Sequence, residues 1–112
     1  MSAILRSSGQ PFGISVTADP AAAVVALRGE LDVVSADMLE REVRALRLAG
    51  CDRIVVDLRE VEFVDSTGLR VLLDLHSSAE RAGHRLILVR PPAHAHRIFE
   101  VTGTDMLFDW RD

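Results

Sequence analysis

The chain is poor in residues that usually announce chemistry. Of its 112 residues only Cys51 is a cysteine, so no intrachain disulfide can form. It has no lysine: all 13 basic residues are arginine. Neither G-x-x-x-x-G-K nor G-x-G-x-x-G occurs, which leaves no nucleotide-phosphate cradle. The net charge is -4 and the arginines are scattered, which argues against nucleic acid or an anionic membrane as a direct partner. The longest apolar run, residues 21–27, is far short of the ~20 residues a spanning helix needs. The opening MSAILRSSGQPFG lacks the charged-then-apolar pattern of a signal peptide. A cytoplasmic protein is the expectation from these absences.

What is present suits a soluble globular domain. The chain is 48% hydrophobic and 27% charged, enough for one proper core and one domain. Residues 1–11 are small and polar and read as a flexible N-terminal segment, with the domain over 12–112. Phe12, Ile14, Val16 and Ala18 alternate with Gly13, Ser15 and Thr17, the pattern of a half-exposed strand. A second strand over 22–28 is close enough to pair antiparallel with it, and a turn is expected at 29–32. Ser35 stands where a helix N-cap belongs, and Ala36, Leu39, Val43 and Leu46 form one apolar stripe ending at Gly50. A buried strand over 54–58 and a loop through Glu62 and Phe63 follow. A helix then runs from Ser66 to about Ala82, with Gly83 as its stop. A strand over 85–89 precedes Pro91-Pro92, which suits the first turn of a short helix presenting Ile98 and Val101. An edge strand over 107–110 completes the order β-β-α-β-α-β-α-β. Strands alternating with helices predict an α/β domain with a mixed, mostly parallel sheet of four to five strands and helices mainly on one face. The loops at the carboxyl ends of the strands then share one edge, where function gathers in such sheets.

Several chemistries are conceivable for the serine, histidine and aspartate residues of the chain. Ser66 resembles the nucleophile of G-x-S-x-G, but Val64 stands where the first glycine is required. His94 and His96, two residues apart on a helix, point about 200° from each other and do not share an ion easily. Asp57 lacks the acidic pair and the lysine that an acyl-phosphate site would need. The expectation is therefore a protein that is not an enzyme and holds no metal or cofactor. What remains is Ser66 as a modification site. Its hydroxyl is expected to cap the helix by accepting from Gly68 or Leu69, and Gly68 to leave the turn open. Glu30, Asp32, Glu60, Glu62 and Asp65 are expected to surround it with negative charge.

Gly29-Glu30-Leu31-Asp32, Ile54-Val55-Val56-Asp57-Leu58, Phe63-Val64-Asp65-Ser66-Thr67-Gly68-Leu69 and Ile98-Phe99-Glu100-Val101-Thr102-Gly103 together resemble the STAS domain, and more narrowly the bacterial anti-sigma factor antagonists. The resemblance runs from about residue 12 to the C-terminus, and D-S-T-G-L after a strand is its specific part. It implies binding, in the unphosphorylated state, to an anti-sigma factor that is also a serine kinase, with release of the sigma factor. It implies phosphorylation of Ser66 as the off switch and a metal-dependent serine phosphatase as the reset. The matching partner-facing residues are Glu30, Asp32, Asp65, Ser66, Thr67, Gly68 and Leu69. Thr104 departs from the family, many of whose members carry an apolar residue there. The alternative implied by the same domain is a non-switching STAS module in a signalling scaffold or a transporter-associated complex.

Overall fold

The computed structural model describes residues 2–7, 10–18 and 21–112. Six strands and three α-helices follow one another as β1 (Ser2–Ser7), β2 (Gln10–Ala18), β3 (Ala23–Leu31), α1 (Val33–Leu48), β4 (Arg53–Val64), α2 (Ser66–Ala82), β5 (Arg85–Val89), α3 (Ala93–Val101) and β6 (Asp109–Arg111). A short 3-10 turn, Asp105–Leu107, leads into β6. The strands lie in the sheet in sequence order. The β1–β2 and β2–β3 pairings are antiparallel, and those from β3 to β6 are parallel. The α/β class and the mostly parallel core of the sheet are as the residue pattern predicts.

Ile54, Val56 and Leu58 of β4 enter one core with Leu39 and Val43 of α1, Leu69 and Leu72 of α2, and Phe99 of α3. Side chains from all three helices thus cover one face of the sheet. Val55, Ile87 and Val89 alternate to the opposite face, where they cluster with Val24. Arg47 ties the layers together at one end. Its guanidinium donates to the carbonyls of Cys51, Asp52 and Arg85 at 3.0, 2.7 and 3.1 Å, joining the end of α1 to the entries of β4 and β5.

Five local expectations are corrected. Ser2–Ser7 forms β1 rather than a flexible segment, and it does so by pairing on β2, which local composition does not reveal. Residues 29–31 continue β3 rather than turn, and β4 runs on through the expected loop to Val64. The two strands stay paired there, Glu30 with Phe63 and Leu31 with Val64, through two register shifts. Gly29, at φ 90°, sits beside the second shift, in backbone geometry that other residues avoid. The cap of α1 is Asp32, not Ser35. Asp32 accepts from Val34 N–H and Ser35 N–H, both at 3.2 Å, while Ser35 Oγ accepts from Asp32 N–H at 2.8 Å, a reciprocal capping box. On α3 the buried residues are Ala95 and Phe99, whereas Val101 is 74% exposed.

Candidate functional site

The site begins where β3 and β4 end together. Val64 is buried beside Leu31, and the next amide, Asp65 N–H, still donates to the Leu31 carbonyl at 3.1 Å. That bond holds Asp65 in extended geometry (φ -91°, ψ -179°), the conformation of an N-cap. Its carboxylate accepts from Gly68 N–H at 2.8 Å, and its carbonyl accepts from Leu69 N–H at 2.9 Å to open α2. Asp65 is therefore the cap, one residue before the expected Ser66. Ser66 becomes the first helical residue. It is exposed, and its hydroxyl makes no hydrogen bond among the described residues.

Gly68 serves a different purpose from the one its sequence position implies. It is buried, and a Cβ there would lie 2.5 Å from the Leu31 carbonyl oxygen and 2.9 Å from Leu31 Cγ. The missing side chain lets the first turn of α2 press against the end of β3. Leu69 points the same way, at 6% exposure. Asp32 is also buried, occupied as the cap of α1, with Ser35 Oγ 3.2 Å from its Oδ1. Glu30 is half-buried, and its backbone carbonyl accepts from Ser35 Oγ at 2.7 Å. Of the seven edge residues, Ser66 is exposed, Glu30, Asp65 and Thr67 are half-buried, and Asp32, Gly68 and Leu69 lie in the packing beneath.

A cleft of about 430 Å³ opens beside Ser66, walled by Phe63, Asp65 and Ser66 on one side and by His94, Arg97, Ile98 and Val101 of α3 on the other. Phe63 is 51% exposed at its rim. The acidic surroundings expected from the sequence are not what lines it: Asp65 is its one carboxylate, faced by His94 and Arg97. Glu60 and Glu62 line a neighbouring depression with Arg28, Arg59 and His94. The exposed Val33 and Val34, at the start of α1, extend the apolar surface of this end. Arg97, Val33 and Val34 were not singled out from the sequence, His94 stood there only as a metal-ligand candidate, and Phe63 only as part of the segment leading to Ser66. The available signal was apolar residues falling off the buried stripe of their element, as Val33 and Val34 fall off the Ala36, Leu39, Val43 stripe of α1.

The wall that α3 provides is held from behind. His96 stacks on Phe99 at 5.5 Å and meets Trp110 edge-on at 4.9 Å, and Trp110 Nε1 donates to the Asp105 carbonyl at 2.7 Å. Arg90 lies 5.0 Å from the Trp110 ring centre. Thr104, the departure from the family pattern, is satisfied at the end of α3. Its amide donates to the Phe99 carbonyl at 2.9 Å, and its hydroxyl lies 2.9 Å from that of Thr102. His94 and His96 thus serve different surroundings, one the cleft and the other the aromatic cluster. Among the described residues no group of three or more His, Cys, Asp or Glu is placed to hold a metal ion. Asp57 is engaged by Arg59 on the far face of the sheet, with Nη2 to Oδ2 at 2.8 Å and Nε to Oδ1 at 3.0 Å. This hydrogen-bonded pair holds the Asp57 carboxyl below its ordinary range. No helix is long and apolar enough to cross a membrane among the described residues.

Known proteins share both the sequence and the architecture. A family model described as Mlab, STAS domain, matches residues 14–109. The anti-sigma F factor antagonist of Paenibacillus polymyxa is 32% identical over 83 residues, covering 71% of this chain and 69% of that protein. The anti-sigma-B factor antagonist of Bacillus subtilis is 32% identical over 85 residues, covering 76% of this chain and 77% of its own. The crystal structure of an anti-sigma factor antagonist from Mycobacterium paratuberculosis superposes with a TM-score of 0.76 at 28% identity, over 88% of this chain and 84% of that one. A match across residues 14–109, joined to relatives of this kind, means that the chain belongs to the STAS domain family, among the bacterial anti-sigma factor antagonists.

Proposed function

We propose that the unmodified chain binds an anti-sigma factor that is also a serine kinase, releases the sigma factor by doing so, and is switched off by phosphorylation of Ser66. A serine phosphatase resets it, and the exchange takes place in the cytoplasm. The observation that carries this reading is the state of Ser66: an exposed hydroxyl with no hydrogen bond among the described residues, at the first position of α2, on the rim of an apolar cleft. A hydroxyl with no base bonded to it suits a phosphate acceptor better than a nucleophile of the chain's own. In the transfer, the Ser66 Oγ–P bond forms as the bond between the γ-phosphate of ATP and ADP breaks, and the hydroxyl proton leaves to a base of the kinase. The docking edge is Ser66 with the flanking Asp65 and Thr67, Glu30, and the apolar rim, with Asp32, Gly68 and Leu69 setting its shape from beneath.

Electrostatics is large enough to operate the switch. Phosphoserine carries about -1.5 to -2 charges at neutral pH. Burying one uncompensated charge in an interface costs about 3–5 kcal/mol. A loss of ~4 kcal/mol weakens a complex roughly a thousandfold. The test is a titration of wild type, Ser66→Ala and Ser66→Asp against candidate anti-sigma factors with ADP and with ATP. Wild type should bind with ADP and be released with ATP, and Ser66→Ala should stay bound in both. Ser66→Asp should bind more weakly than wild type, though less so than phosphoprotein. Undiminished binding by the phosphoprotein would overturn the switch in favour of a fixed STAS module in a scaffold or transporter-associated complex.

A further inference from the structure

The basic side chains around Ser66 have no assigned purpose. Arg97 and His94 line the cleft that Ser66 borders. Arg70 follows Ser66 by four residues on α2, so the two project from the same helix face with Cβ atoms about 5–6 Å apart. Neither Arg70 nor Arg97 takes part in an ion pair among the described residues. Acidic groups are within sequence reach of both: Asp74 lies four residues beyond Arg70, and Glu100 three beyond Arg97. Elsewhere on the helices such neighbours do pair, as Asp37 with Arg41 at 3.0 Å and Glu40 with Arg44 at 3.5 Å. Arg70, one turn along α2 from Ser66, and Arg97, lining the cleft from α3, are thus left without an ion pair among the described residues.

We infer that Arg70 and Arg97 form a bracket for the phosphate on Ser66, so that the switched-off state is held by ion pairs within the chain. This rests on Ser66 being the phosphorylated residue and adds how the product is kept. A phosphate presents three acceptor oxygens, enough for one guanidinium from α2 and one from α3 at once. An anion four residues before a cation on a helix is the favourable order. The bracket ties the start of α2 to α3 across the cleft and places the phosphate where an apolar partner residue would enter. Docking would have to break the pairs as well as desolvate the phosphate. Asp65, the carboxylate in the cleft, opposes the phosphate, and its carboxylate is already engaged with Gly68 N–H.

The experiment uses full-length protein with phosphoserine installed at position 66 during translation, so that no kinase is required. The second ionisation of the phosphate is followed by phosphorus NMR across pH, in wild type, Arg70→Gln, Arg97→Gln and the double variant. The bracket predicts a pKa about one unit below the ordinary value near 6 in wild type. Each single variant should recover part of the shift, and the double variant all of it. His94 lines the same cleft, so the series is repeated with His94→Gln, where the shift should persist. A wild-type value at or above the ordinary one, or a shift unchanged in the double variant, would overturn the bracket. If the shift appears but no anti-sigma factor ever labels Ser66, the proposed function fails and the bracket stands. If a kinase labels Ser66 and the shift is absent, only the bracket fails.

Discussion

Gly68→Ala sets two effects of opposite sign against each other. In the first turn of a helix, alanine is intrinsically better than glycine by about 1 kcal/mol. By propensity alone the variant would be more stable. The added Cβ, however, would lie 2.5 Å from the Leu31 carbonyl oxygen, a backbone atom that cannot swing away, and 2.9 Å from Leu31 Cγ. To relieve this, α2 must lift from the end of β3, which strains the 3.1 Å bond from Asp65 N–H to Leu31 and disturbs the packing of Leu69. Overpacking of this kind costs about 1–3 kcal/mol, and a lost backbone bond about another 1 kcal/mol. The net expectation is a loss of about 1–3 kcal/mol. Urea denaturation should show a lower midpoint with an unchanged slope. Because Ser66 moves with the turn, phosphorylation by a cognate kinase should also slow, well below the unfolding midpoint. A Gly68→Ala protein as stable as wild type, or more so, would refute the close-packing argument and leave helix propensity as the dominant effect.

Further outcomes follow from the same geometry. Thr67 is half-buried at the second helical position and β-branched, so kinase treatment of Ser66→Ala should leave no phosphate on mass-spectrometric mapping, and efficient labelling of Thr67 would overturn the choice of acceptor. Arg47→Ala removes donors from the carbonyls of Cys51, Asp52 and Arg85 and should cost about 2 kcal/mol in chemical denaturation, since hydrogen bonds from charged groups are the stronger kind and this one is partly solvated. Asp57 has its folded pKa lowered, first by its hydrogen bond to Arg59. Its stabilisation is therefore complete above the unfolded value near 3.9 and is lost as pH falls through the lower folded value. Asp57→Asn should be less stable than wild type at neutral pH by no more than about 1 kcal/mol, because Arg59 is largely solvated. That gap should close in acid, and a gap that widens below pH ~4 would contradict the assigned cause.

Much of the architecture can be read from local pattern because local physics decides it. The stripe Ala36, Leu39, Val43 marks α1, Gly83 ends α2 in left-handed geometry, and the apolar run at 54–58 marks the centre of the sheet. The D-S-T-G-L turn, with G-E-L-D upstream, was enough to identify the family and to single out Ser66. The rest depends on partners distant in sequence. Serine and aspartate are near-equal caps, and only the bond from Asp65 N–H to Leu31, made across two strands, decides that Asp65 caps α2 and frees the Ser66 hydroxyl. Arg59, Glu60 and Glu62 read as loop, yet they are exposed positions of a strand that continues by pairing with residues 28–31 through two register shifts. β1 exists through its pairing with β2. The charge around Ser66 was inferred from neighbours in sequence, which are acidic, whereas α3 returns from 28 residues away to place His94 within reach of it. Chain order dictates which groups are available; the packing of α3 across the end of β4 decides which of them the serine meets.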